Sequence, residues 1–333
     1  MTRRLRVFIN GFGRIGRTIA RQILDRPTTS QVDIVGINDI APLETAAYLL
    51  RYDSVWGPFP APVDVLAGGL MIKGRVIPFT QTADLRALDM RDVDIVLECT
   101  GKATTRPFAE AGLAAGAGKV LISGPSPAAD QTIVIGANEQ DLRNARIVSN
   151  ASCTTNAIAP FLRTLDLGLG IERAHVTTIH CYTGSQPTVD QPNGSPERSR
   201  AAAVSMVPTT TSAAQQIGAV LPEFGGRLTV SALRIPCLSV SAIDAVIQLL
   251  EDPEEPFEEF LRSAFAGSGQ VGLCDDPCVS SDFRGRSESL IIALPETRSI
   301  GCKQLRILGW YDNEWAFSAR MLELATLMAG KKA

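Results

Sequence analysis

Short runs of aliphatic and β-branched residues alternate with amphipathic stretches through the first half of the chain. That alternation predicts strand, turn and helix in repetition. Leu5–Ile9 is an apolar run followed by a glycine-rich turn and a helical stretch over Ile15–Leu24. Asp33–Ile37 is a second run ending in Asn38-Asp39, and Leu43–Leu50 can form a helix. Asp94–Leu97, Lys119–Ile122, Thr132–Ile135 and Ile147–Val148 read as further strands, with Pro107–Ala115 helical. Short strands buried on both faces and separated by helices belong to a mostly parallel sheet covered on both sides. Pro58–Pro62 and Gly68–Gly74 interrupt the repetition and predict a hairpin insertion.

After residue 150 the pattern changes. The strands lengthen and alternate, at His175–His180, Leu228–Pro236, Ser239–Leu250 and Gln304–Tyr311, and a loop rich in Pro, Gly, Ser and Arg runs from Thr183 to about Ala203. Trp315–Met328 is helical with an apolar face. The expected fold class is α/β: a doubly wound parallel sheet of Rossmann type plus an α+β domain with a mostly antiparallel sheet. The expected division is 1–151 with the C-terminal helix 315–333, against 152–314.

Composition narrows the function classes. With 45% hydrophobic and 20% charged residues among 333, the chain can bury a sizeable core. A net charge of −3 with dispersed Lys and Arg gives no electrostatic reason to seek nucleic acid or an anionic membrane. The apolar runs stop short of the roughly 20 residues a membrane span needs. The start, MTRRLRVFINGFGRIG, is basic but lacks the long apolar stretch and small-residue cleavage site of a signal peptide. Seven scattered cysteines argue against a disulfide framework and for the reducing cytoplasm. Cys274 and Cys278 are the only close pair. They lack the second pair or histidine of a structural zinc site, so no metal is expected and they read as unrelated loop thiols.

Three motifs carry chemistry. Gly11-Phe12-Gly13-Arg14-Ile15-Gly16 lies between the first strand and first helix, where glycines permit a tight turn and close approach to a pyrophosphate. Asp39 ends the second strand, where an acid accepts hydrogen bonds from ribose hydroxyls and repels a 2′-phosphate, which favours NAD over NADP. In Ser149-Asn150-Ala151-Ser152-Cys153-Thr154-Thr155-Asn156, hydroxyl and amide side chains surround Cys153, a poor composition for a core. Capping residues place it at a helix N-terminus, which lowers a thiol pKa, although Pro160 predicts a kink or a later helix start. The chain's two histidines, His175 and His180, lie on one predicted strand at odd separation and so face opposite sides. His180, at the strand's end before a polar loop, suits a general base for Cys153. Thr183-Gly184-Ser185-Gln186, Pro208–Ser212 and Arg234 offer hydroxyls and a cation suited to phosphate, although on their own such clusters are more often turns and helix caps.

INGFGRIGR, SNASCTTN, HCYTGSQPTVD and WYDNEW, together with YDSVWG and VSSDF, closely resemble the phosphorylating glyceraldehyde-3-phosphate dehydrogenases, in that family's order and over nearly the whole chain. The resemblance implies Cys153 as nucleophile and His180 as its activating base. It implies NAD contacts at Gly11, Gly13, Arg14, Ile15, Gly16, Asp39, Ser123 and Asn313, the last on the nicotinamide carboxamide. Thr183, Ser185 and Arg234 match positions that hold the substrate's own phosphate. Ser152, Thr154, Thr211 and Ser212 match the site of the attacking phosphate, with Arg200 near it. The implied reaction converts an aldehyde phosphate, inorganic phosphate and NAD to an acyl phosphate and NADH through a Cys153 thioester, in a homotetramer.

The chain departs from the family's pattern at several points: Gly184 and Ser185, Ser212 for a usual glycine, the 191–200 loop, Thr82 for a usual arginine near the adenine, and Ala103 for a usual aromatic. Erythrose-4-phosphate dehydrogenase is the near alternative. A cysteine hydrolase using Cys153 and His180 leaves the glycine motif and Asp39 unexplained, and a non-catalytic NAD-binding paralogue is the third reading.

Overall fold

A computed structural model describes residues 3–25 and 31–330. The chain divides into two compact units: Met1–Ile133, Glu139–Ser152 and Ser318–Ala333 form one, and Val134–Asn138 with Cys153–Phe317 the other. Residues 1–2, 26–30 and 331–333 of the first unit, and with them the ends of the expected 1–151 and 315–333 segments, lie outside the described residues.

The first unit is built on a nine-stranded sheet. Its order is Val63–Leu66, Gly69–Ile72, Arg75–Thr80, Val32–Asn38, Leu5–Asn10, Ile95–Glu98, Lys119–Ile122, Ile147–Ser149 and Gln131–Thr132. All neighbours pair in parallel except the two antiparallel contacts of the predicted hairpin at the edge. Val7 and Ile9 are fully buried, as are Ile37 and Leu97 on the flanking strands. Leu5–Asn10 is central, and the strand order turns back around it, so the carboxyl ends at Asn10, Asn38 and Glu98 open the crevice where ligands bind in such sheets.

Two local expectations change. Thr132–Ile135 shrinks to the two-residue strand Gln131–Thr132, and Pro107–Ala115 becomes two short helices, Arg106–Ala109 and Ala111–Ala114. The strand Arg75–Thr80 escaped prediction because Pro78 sits inside it. Its antiparallel neighbour ends there, at the Gly69–Pro78 pair.

The second unit carries a mostly antiparallel sheet in the order Val207–Thr209, Leu228–Ile235, Ile171–Cys181, Ser241–Leu249, Gln304–Tyr311, Leu290–Ala293 and Val271–Cys274. Two pairings are parallel: Ile171–Cys181 with Leu228–Ile235, and Val271–Cys274 with Leu290–Ala293. The first of these sets His180 directly beside Arg234.

The helix Cys153–Leu169 starts at Cys153, not later as Pro160 suggests, and continues through that proline. Proline withdraws the N–H that Asn156 would receive, a cost of about 3 kcal/mol. Ile158, Phe161, Leu162 and Leu165 are fully buried, and each contributes roughly 1.5–3 kcal/mol. Packing wins.

Candidate active site

In the first unit the three motif glycines answer three different demands. Gly11 has φ +90°, and a Cβ there would stand 2.7 Å from the backbone of Cys99. A Cβ on Gly16 would meet the Gly11 carbonyl oxygen. Gly13 differs: its φ is not positive and nothing lies within 4 Å of a Cβ placed on it. The protein itself does not require glycine there, and the space left open is what a closely approaching ligand needs. The helix Arg14–Asp25 begins next, and its first turn leaves N–H groups that no helical carbonyl can take.

Gly11 and Gly13 line a cleft of about 230 Å³ with Asp39, Ile40, Thr82, Cys99, Thr100, Lys102 and Phe108. Asp39 receives the N–H of Phe12 on one oxygen (2.5 Å) and that of Ala41 on the other (2.9 Å). Each oxygen keeps acceptor capacity for a ribose hydroxyl. Below the loop, Asn38 donates to Asn10 (2.8 Å), and Asn10 donates to Glu98 (2.5 Å). Glu98 also accepts from the N–H and hydroxyl of Thr100. Burial raises the Glu98 carboxyl, and these donors partly offset it. The Arg14 guanidinium is engaged by buried Asp53 at 2.5 Å. Ser123 donates its N–H to the Glu98 carbonyl. Thr82 binds Asn38 through its backbone, and Ala103 is buried. These residues fit a dinucleotide.

In the second unit Cys153 Sγ lies 3.5 Å from His180 Nε2. Ala151, at φ +53°, turns the chain from the strand Ile147–Ser149 into the helix that Cys153 opens. The helix end was expected to lower the thiol. Instead, burial raises Cys153, outweighing the help of Thr154 and Arg234. His180 moves the other way, down to about 4, through burial and then the Arg234 charge. Its Nδ1 lies 2.7 Å from the Cys181 carbonyl oxygen and 2.6 Å from Arg234 Nη1, which itself donates to that carbonyl (2.9 Å). Nδ1 thus meets an acceptor and a donor: protonated, it donates to the carbonyl and leaves the Nε2 lone pair facing sulfur, and unprotonated, it accepts from Arg234. Both shifts favour the neutral forms, thiol and imidazole, in the resting pair.

The other expected residues divide. Thr154 is buried, its hydroxyl 3.0 Å from the Tyr311 hydroxyl, which also meets Thr178 at 2.8 Å. Thr183 and Ser185 share a hydroxyl contact of 3.0 Å. Thr211 accepts the N–H of Ala213, and Ser212 accepts from Gln216 at the start of the helix Ala213–Val220. Arg200 is exposed and paired with Asp190 at 2.8 Å. The Asn313 side-chain oxygen receives the Cys181 thiol (3.1 Å) and the Ser241 hydroxyl (3.3 Å), while Ser152 is partly buried. His175 is exposed, on Thr229 and Thr177, on the face opposite His180.

Residues 152–313 match the family model described as "Glyceraldehyde 3-phosphate dehydrogenase, C-terminal domain", and 5–106 the one described as its "NAD binding domain". A glyceraldehyde-3-phosphate dehydrogenase of Xanthobacter flavus is 44% identical over 97% of this chain and 98% of its own. Those of Cereibacter sphaeroides and Pseudomonas aeruginosa are each 42% identical, over 97% and 98% of this chain and 98% and 99% of their own. The chain belongs to the glyceraldehyde-3-phosphate dehydrogenase family. NAD is its cofactor, in agreement with the cleft at Asp39.

Three residues of the site escaped the sequence reading. Tyr311 bridges two threonines with its ring centroid 6.0 Å from that of His180. Cys181 is pushed up to about 12 by burial and holds Asn313. Lys102 brings a cation to the cleft at Asp39. Only the adjacency of Cys181 to His180 in sequence could have signalled any of them.

Proposed function

We propose that this chain oxidises D-glyceraldehyde 3-phosphate with NAD and inorganic phosphate, giving 1,3-bisphosphoglycerate and NADH. The observation that carries the reading is the 3.5 Å contact of Cys153 with a neutral His180 held against Arg234. His180 Nε2 takes the Cys153 thiol proton as sulfur adds to the aldehyde carbon and returns it to the carbonyl oxygen, then accepts that hydroxyl proton as the hemithioacetal is oxidised. NAD bound to this chain would supply the acceptor for the hydride leaving that carbon. Gly11, Gly13 and Gly16 with the N–H groups of Arg14 and Ile15 would hold its pyrophosphate, Asp39 its ribose, and Ser123 and Asn313 its nicotinamide half. Inorganic phosphate then attacks the Cys153 thioester.

Thr183, Ser185 and Arg234 would take the substrate's phosphate, and its charge on Arg234 relieves the penalty on an imidazolium next door. His180 thus becomes a stronger base when substrate arrives. Ser152, Thr154, Thr211, Ser212 and Arg200 are assigned to the attacking phosphate. The Asp190 pair must then release Arg200, and Thr154 must turn from Tyr311. Segments 1–151 and 315–333 serve the cofactor and 152–314 the chemistry. A cytoplasmic homotetramer completes the proposal. Among the described residues no helix is long and apolar enough to cross a membrane.

The test is a substrate panel with NAD and NADP, each with and without phosphate, including erythrose 4-phosphate. NADH absorbance should appear with glyceraldehyde 3-phosphate, NAD and phosphate together. Equal turnover without phosphate, or a preference for the four-carbon sugar, refutes the assignment.

A further inference from the structure

Cys274 and Cys278 were expected to be unrelated thiols, and the structure corrects this. Their sulfurs face each other at 3.8 Å. Cys274 ends the strand Val271–Cys274, paired with Ala293, and Asp275, Asp276 and Pro277 carry the chain back so that Cys278 returns against it. The turn is fixed by the Cys278 N–H donating to the Asp276 carbonyl (2.8 Å) and the Val279 N–H donating to the Asp282 carboxylate (2.8 Å). Beneath it lie Phe283 and Trp310, stacked at 5.9 Å, so the loop rests on a rigid aromatic floor. Both thiols are partly exposed. Among the described residues no third His, Cys, Asp or Glu joins them into a metal-binding group.

From this geometry we infer that Cys274 and Cys278 form a thiol–disulfide exchange site, separate from Cys153, that reacts with small disulfides such as oxidised glutathione. The sulfurs need approach only from 3.8 Å to a bond of about 2.05 Å. Closing so short a loop removes little chain entropy, so the bond stabilises the fold weakly and remains reducible.

The first attack is assigned to Cys274, because Cys278 carries the raised thiol of the pair. Burial, Cys274 itself, Asp282 and Asp276 all raise the Cys278 thiol, which suits the resolving partner. The Cys274 thiolate attacks one sulfur of the small disulfide, forming a mixed disulfide and releasing one thiolate. Cys278 then loses its proton, attacks the Cys274 sulfur and expels the second thiolate. Two electrons pass from the cysteine pair to the small disulfide, which leaves as two thiols.

The experiment uses the full chain carrying Cys153→Ala, so that the nucleophile does not compete. It is incubated with excess oxidised glutathione, alkylated and digested with trypsin. Peptide Ser263–Arg284 contains both cysteines and no others. It should lose both alkylation adducts, weigh two hydrogens less than the dithiol, and regain both adducts after reduction. With Cys278→Ser added, Cys274 should instead retain a glutathione adduct. In chains that keep Cys153, Cys274→Ser and Cys278→Ser should leave dehydrogenase activity unchanged, which also establishes that they fold. A peptide that stays doubly alkylated, carries two glutathiones, or links to a different peptide overturns the proposal.

Discussion

Replacing Arg234 by Gln removes the one cation against His180 Nδ1 while keeping a polar side chain at that position. In the intact protein the imidazole is held near 4 rather than 6.5, by burial first and by Arg234 second. Burial remains after the substitution, so only part of that interval should be recovered, on the order of one pH unit or ~1.4 kcal/mol. The chain has only two histidines, so His175→Gln leaves a single imidazole whose titration can be followed directly by NMR. The midpoint in that background should lie near 4, and near 5 with Arg234→Gln added. Inorganic phosphate or a substrate analogue should raise the midpoint in the parent and not in the Arg234 variant.

The same shift sets the acid stability. Between pH 6.5 and about 4 the unfolded chain binds a proton that folded His180 refuses, so stability falls as pH falls through that window. The loss totals roughly 3 kcal/mol in the parent and about 2 kcal/mol in the variant. A parent midpoint near 6.5, or one unmoved by removing Arg234, refutes the reasoning.

Asp39→Ala should lower kcat/KM for NAD by about ten- to a hundredfold, the worth of a charged hydrogen-bond acceptor, and leave NADP little affected. Unchanged discrimination between the two cofactors would count against its role. Cys153→Ser should reduce turnover by about 10⁴-fold or more. Because burial raises the thiol, alkylation of Cys153 in the resting enzyme should accelerate steadily as pH rises through neutrality; a flat profile would mean that a thiolate is already present. Tyr311→Phe strands the buried hydroxyls of Thr154 and Thr178 and should cost about 1–3 kcal/mol in urea unfolding. No change in midpoint would show that the two threonines pair with each other or with water.

What the sequence could reveal was what lies in periodicity and adjacent residues. The odd spacing of His175 and His180 sufficed to send one outward and one inward, because the period of two is fixed by the pleat. The strand, glycine loop, helix and Asp39 lie within the first 39 residues, so local rules reach all of them. Arg234 lies 54 residues beyond His180, and its place beside that imidazole depends on a parallel register that no local pattern encodes. Tyr311 meets Thr154 and Thr178 from 157 and 133 residues away.

Those distant neighbours determine the charge state of the chemistry. A helix terminus acting alone gives a thiolate, and a histidine acting alone titrates near neutrality. Burial outweighs the helix end at Cys153, and burial with Arg234 outweighs the intrinsic basicity of His180. With Arg234 assigned to the substrate's phosphate, the anion would offset that charge and raise the basicity of His180, so the substrate would promote its own oxidation. Aldehydes lacking a phosphate should therefore lose kcat as well as affinity.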